Sequence, residues 1–131
     1  MKSEEPKSTH VKASVATSTA ERDRVVTHRT FTWANDLHSQ NSHGSDLRHD
    51  SPLTLRSDGT GHFTAFIDSN DTWTVWFILH VPGQQDIRLP NALGGPNETF
   101  VIPPSNRDFE FGWHGANVLN SITSIDIFGH I

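Results

Sequence analysis

The stretch Trp73–Val81 (WTVWFILHV) constrains the fold more than any other part of the chain. It is apolar at nearly every position, rich in aromatic and β-branched side chains, and stopped by Pro82-Gly83. A short run of that composition favours a strand over a helix. An antiparallel sheet with one wet face alternates apolar and polar residues. This run does not, so both of its sides call for cover.

The rest of the chain supplies partners of the same kind. Val25–Trp33 alternates, with Phe31 and Trp33 on one face and His28, Thr30 and Thr32 on the other. Pro52 opens a short strand, Leu53–Leu55, and Ser57-Asp58-Gly59-Thr60 is a tight-turn signal because Asp-Gly accepts left-handed backbone. Further strands are expected at His62–Asp68, Asp86–Leu89, Thr99–Ile102, Phe109–Trp113 and Ile122–Phe128. In the last of these, Ile125 and Ile127 alternate with Asp126 and Phe128. No helical period appears. The pattern predicts an all-β domain, an antiparallel β-sandwich or flattened barrel of about eight strands.

The turn signal Ser69–Thr72 further predicts that His62–Asp68 and Trp73–Val81 form a hairpin. In that register one face carries Phe63, Ala65, Ile67, Trp76 and Ile78. The other carries Phe66, Trp73, Val75, Phe77, Leu79 and Val81, with His62 and Thr64. One side would be the core. The second would be covered by a ligand cavity, by a second subunit in a homodimer, or by the long polar loop Ala34–Ser51, which Leu37 and Leu47 would pin.

Residues 1–24 contain no Phe, Trp, Leu or Ile. Such a segment buries too little apolar area to offset its ordering entropy, so a disordered N-terminal tail (1–24) ahead of a single β domain (25–131) is expected. The formal net charge is −5 and no basic stripe is present, which argues against nucleic acid as a partner. No apolar run reaches membrane-spanning or signal-peptide length, so neither a membrane partner nor export is expected. The absence of cysteine excludes disulfides and thiolate zinc sites and fits a cytoplasmic protein. The glycosylation sequons at Asn70 and Asn97 carry little weight in a chain this rich in Asn, Ser and Thr.

Nine histidines invite a metal reading, with Asp36, His38, His43, Asp46, His49 and Asp50 crowded in one loop. Their spacing matches no preorganised ligand pattern, so no metal and no cofactor is expected. For acid–base chemistry the candidates are His80 and His114, near strand ends, with Asp36 as partner and Asp71, Asp108 and Asp126 as alternatives. A histidine at a strand end more often satisfies nearby backbone groups. Nucleophilic catalysis has no support, and the glycine-rich Leu93–Asn97 stretch reads as a turn. For ligand binding the candidates are Trp33, Trp73, Trp76 and Trp113 with Asn35 and His38, weighed against burial in the core; Asn117 and Asn120 could add hydrogen bonds.

The stretches RTFTWANDLHSQNSH, LTLRSDGTGHFTAFI and DTWTVWFILHV, spanning Arg29–Val81, resemble a microbial family of small all-β proteins of unknown function. That resemblance implies an aromatic first strand, a polar loop, a Leu-Thr-Leu…Asp-Gly-Thr hairpin and a central Trp-bearing strand. It carries no activity. From the residues, the functional expectation is a small β-rich binding module for a small apolar or carbohydrate ligand, acting as a monomer or a dimer. The alternative is a cofactor-free β-barrel enzyme, an isomerase or cyclase, with a His/Asp pair in an apolar pocket.

Overall fold

A computed structural model of the chain describes residues 7–12, 16–21, 24–38, 45–91 and 97–131. Three expectations fall wholly or in part on other residues: His43 in the histidine-bearing loop, most of the glycine-rich stretch (92–96), and residues 1–6, 13–15 and 22–23 of the expected tail lie outside the described residues.

The strands in chain order are β1 (Lys7–Lys12), β2 (Ala16–Glu21), β3 (Arg24–Phe31), β4 (Leu37–His38), β5 (Asp46–Leu47), β6 (Leu53–Arg56), β7 (Thr60–Thr64), β8 (Trp73–His80), β9 (Ile87–Leu89), β10 (Phe100–Ile102), β11 (Asp108–Gly112) and β12 (Ser124–His130). A 3-10 turn, Ala116–Ser121, precedes β12. The fold is an all-β antiparallel sandwich. Its first five-stranded sheet runs β1-β12-β8-β10, with β9 also paired to β8. Its second runs β11-β7-β6-β3-β2, and β4 and β5 form a small ribbon of their own.

The alternation along β8 shows why the sheets pack. Trp73, Val75, Phe77 and Leu79 are buried, while Thr74, Trp76, Ile78 and His80 lie on the opposite face. Ile125, Ile127, Leu89, Phe100 and Ile102 add to the inward layer, and the second sheet answers with Phe31, Leu53, Leu55 and Phe63. Phe63 meets Phe77 edge-on across the gap at 5.0 Å, and Trp33 stacks on Phe77 at 5.7 Å. Side chains of this size contribute about 1.5–3 kcal/mol each when buried. Gly61 is required by this packing, since a Cβ there would come within 2.6 Å of the Phe111 ring.

The expected hairpin between His62–Asp68 and Trp73–Val81 is not formed. β7 pairs with β6 and β11, whereas β8 pairs with β12, β9 and β10 in the other sheet. The connection passes from one sheet to the other instead of turning within one sheet. Ala65 donates its N–H to the Arg107 carbonyl, Phe66 donates to Ser51 Oγ, and Ile67 bridges to Leu47. The apolar run alone does not choose between the two connections. The hairpin would set Phe63 and Ala65 beside Trp76 and Ile78 on one face, whereas in the sandwich they pack in the core with Trp73, Val75 and Phe77. Trp76 and Ile78 therefore lie on the outside of the first sheet, while Leu37 and Leu47 of the long loop turn into the core through the β4–β5 ribbon.

Two described stretches within the N-terminal segment, 7–12 and 16–21, pair with the sandwich through their backbone. β1 lies along β12, and β2 lies along β3. Edge strands offer unpaired N–H and C=O groups that any extended chain can satisfy, whatever its apolar content.

One buried cation helps hold an end of the sandwich. Arg29 on β3 is 7 % exposed, and its Nη1 donates to the Leu119 carbonyl (2.7 Å) and the Ile122 carbonyl (2.9 Å) at the end of the 3-10 turn.

Candidate functional site

Three of the four tryptophans are structural. Trp33, Trp73 and Trp113 are buried, and their indole N–H groups donate to the Ser51 carbonyl, Ser45 Oγ and the Arg56 carbonyl at 2.8, 2.8 and 3.0 Å. A buried indole needs such a partner, and with it the residue is a finished core element. Asn35 is exposed beside Trp33, and His38 is held by Asp46 at 2.7 Å. These residues do not gather around a common ligand position. Trp76 is the exception, half-buried on the outer face of the first sheet.

That face can be built strand by strand from the register. Phe128 stands opposite Trp76 and Asp126 opposite Ile78. On the other side of β8, Arg88 stands opposite Ile78 and Val101 opposite Thr74. The Trp76 and Phe128 rings stack at 5.7 Å with planes 6° apart. Arg88 lies over the Trp76 ring at 5.0 Å, with its Nε and Nη2 donating to the Glu98 carbonyl at 3.0 and 2.8 Å. His130 meets Trp76 edge-on at 5.9 Å. Trp76 is thus fixed in a ladder between Phe128 and Arg88, with Ile78 beside it and Val101 57 % exposed at the sheet edge.

At the other end of the face sits His80. Its Nδ1 faces Asp86 at 3.0 Å and its Nε2 faces Asp126 at 2.8 Å. Only the doubly protonated ring can donate to both carboxylates. Hydrogen bonding to Asp126, and then to Asp86, raises its pKa above the ordinary value against the opposing effect of partial burial.

A second histidine of this kind lies on the outside of the other sheet. His62 on β7 sits between Asp108 and Glu110 of β11, with Glu110 at 2.9 Å and Asp108 closer still. Its pKa is raised, chiefly by Glu110. Asp108 is held low by Thr64 and then His62, and Glu110 by His62 and then Arg56.

The acid–base candidates do not assemble. Among the described residues no hydrogen bond joins His80, His114 and Asp36. His80 takes Asp126, one of the alternatives weighed from sequence, together with Asp86. Asp36 accepts from His49, through both the ring at 2.6 Å and the backbone N–H at 2.7 Å. His114 is exposed, and its backbone exchanges hydrogen bonds with the Asn91 side chain at 3.2 Å. No three ligating side chains among the described residues could hold a metal ion. The carboxylates about His62 and His80 grip opposite edges of a ring instead of converging on a point.

Sequence reasoning missed Arg88, Phe128 and Asp86 as members of one surface. The alternation of Ile125 and Ile127 with Asp126 and Phe128 was the available signal, because it places Phe128 on a polar face. Pairing β12 with β8 completes that inference, and the pairing is not local in sequence. No helix among the described residues is long and apolar enough to cross a membrane. In comparisons with protein-family models, curated proteins and solved structures, nothing matches this chain.

Proposed function

We propose that the chain is a binding module whose recognition surface is the outer face of the first sheet, and that its ligand is a carbohydrate. One observation carries this reading. Trp76, Ile78 and Phe128 form an ordered, half-exposed apolar stripe on the side of the sheet away from the core, while the other tryptophans are sealed inside.

The chemistry of the stripe favours an amphipathic ligand. The Trp76 ring is covered on its faces by Phe128 and Arg88, so its edge is what a ligand meets. Aromatic edges carry positive partial charge and attract hydroxyl oxygens, while Ile78 offers an apolar seat for C–H groups. The exposed Asp86 carboxylate accepts hydroxyl protons and repels an anion. A neutral sugar meets all three requirements. The absence of cysteine suits such a module to a reducing cytosol.

The isomerase or cyclase alternative is less well supported. A general base needs a ring nitrogen whose lone pair faces the substrate. In His80 both nitrogens are turned to carboxylates, and the ring stands outside the core instead of in an apolar pocket.

A glycan array followed by a tryptophan-fluorescence titration tests the reading. Trp76→Ala should weaken binding of the best glycan about tenfold, the loss expected for one aromatic contact of about 1–1.5 kcal/mol. Its far-UV circular dichroism should be unchanged. An array with no hit, or an affinity unmoved by Trp76→Ala, would overturn the proposal. A dimer dissociated by Ile78→Asp would assign the same stripe to a second copy of the chain.

A further inference from the structure

We infer that His80 is a pH-sensitive latch on this face, closing the β8–β9 connection against β12 only while its imidazole carries both protons. The geometry is a bridge between separate elements. Asp126 belongs to β12, whereas Asp86 ends the connection that leads into β9. That connection turns tightly, with Gly83 at φ +77° and the Gln84 N–H donating to the Val81 carbonyl at 3.1 Å. The His80 backbone is pinned independently, since its carbonyl accepts from the Thr123 N–H at 2.9 Å and the Thr123 hydroxyl at 3.1 Å. The ring is the part that titrates.

The charged groups around it define what deprotonation does. Asp86 faces it from the connection and Asp126 from β12, with Arg88 on β9 two positions beyond Asp86. The β1 positions in register with Asp126 and Ser124 are His10 and Lys12. A neutral imidazole has one N–H, so its other nitrogen would turn a lone pair toward a carboxylate oxygen within about 3 Å. One contact must open. The Asp86 side chain is 54 % exposed and Asp126 is 25 %, so Asp86 is the one that water can take over.

Releasing Asp86 loosens the start of β9, the strand that carries Arg88, whose remaining hold is the Glu98 carbonyl and the pairing with β8. The recognition face is therefore ordered in mild acid and loosens as pH rises past the histidine's raised pKa. The effect on ligand binding rests on the reading of this face as a recognition surface. The latch itself does not.

Amide hydrogen exchange on the full chain, without ligand, tests the latch. Opening that releases one proton gains about tenfold per pH unit between the ordinary and the raised imidazole pKa. Hydroxide catalysis of exchange adds its own factor of about ten per pH unit at every amide, opened or not. Log rate against pH at Ile87–Leu89 should therefore have a slope near two in that window, and near one for His80→Gln and for Asp86→Asn. If His80→Gln fails to fold, Asp86→Asn carries the comparison. A slope of one in the wild type, or a slope of two that survives Asp86→Asn, would overturn the latch. Lost glycan binding with the slope intact would sink the recognition face alone.

Discussion

Replacing Arg29 with Met isolates the contribution of the buried cation. Met keeps most of the aliphatic volume but removes the guanidinium whose Nη1 donates to the Leu119 and Ile122 carbonyls. A hydrogen bond from a charged donor contributes about 1.5–3 kcal/mol, so the pair is worth about 3–6 kcal/mol gross. Against this stands the cost of burying a cation, and burial does push the Arg29 pKa down. Arg29 also lies over the Phe31 ring at 5.1 Å, a contact that Met partly keeps. The net loss expected for Arg29→Met is about 2–3 kcal/mol, because two carbonyls at the end of the 3-10 turn are left without their donor. In a domain of this size that lowers Tm by roughly 7–13 °C. Urea unfolding followed by tryptophan fluorescence gives the free energy, provided that the m-value is unchanged. Hydrogen exchange localises it: the Val118 amide, bonded to the Gly115 carbonyl at 2.9 Å, should exchange faster than amides of β8. A loss below about 0.5 kcal/mol, or a gain in stability, would refute the reasoning, since the desolvation cost would then equal or exceed what the hydrogen bonds return.

Two further outcomes follow from the same geometry. Ser45→Ala should cost about 1–3 kcal/mol in urea unfolding, because it leaves the Trp73 indole N–H without an acceptor in a fully buried site; Ser45 Oγ also meets Ser69 Oγ at 2.6 Å. The His62 contact should depend on pH in both directions. His62 is raised from its ordinary 6.5, so its contribution is full below that value and is lost as pH climbs through the raised pKa. Asp108 and Glu110 are lowered from 3.8 and 4.5, so theirs is present above those values and lost as pH falls through the lowered ones. The difference in urea midpoint between wild type and His62→Asn should peak between these ranges and shrink in acid and in alkali. A difference constant with pH would refute the linkage.

The strands were legible because their signals are local. Pro82-Gly83 ends β8, Asp58-Gly59 turns β6 into β7, and the alternation in Phe109–Trp113 marks β11. The pairing of strands was harder to read. Nothing between Ala65 and Thr72 distinguishes a hairpin from a crossover, since both bury Phe63 and Phe77. The choice is made by distant groups: the Arg107 carbonyl that takes the Ala65 N–H, and the Arg107 guanidinium that donates to the Ser69 carbonyl at 2.7 Å and the Asp71 carbonyl at 3.1 Å. The site suffered from the same limit. Trp76 was one of four equivalent tryptophans in the sequence, and only the register of β12 and β9 against β8 shows that it is the one left outside. The ribbon of β4 and β5 escaped notice because its two-residue strands carry no period, although Leu37 and Leu47 were its visible anchors.

The pairing of β8 with β12 also governs when this domain can fold. The most apolar strand of the chain has as its longest partner the strand that comes after all others in chain order. On the ribosome, β3, β6 and β7 emerge early and need only β11 to extend their sheet. β9 and β10 can pair with one side of β8 as they emerge, but its other side waits for β12. Such an interval favours binding by chaperones or self-association over productive closure. The first sheet therefore completes only when β12 arrives, and expression yield should respond more sharply to changes in β12 than to equal changes in β3.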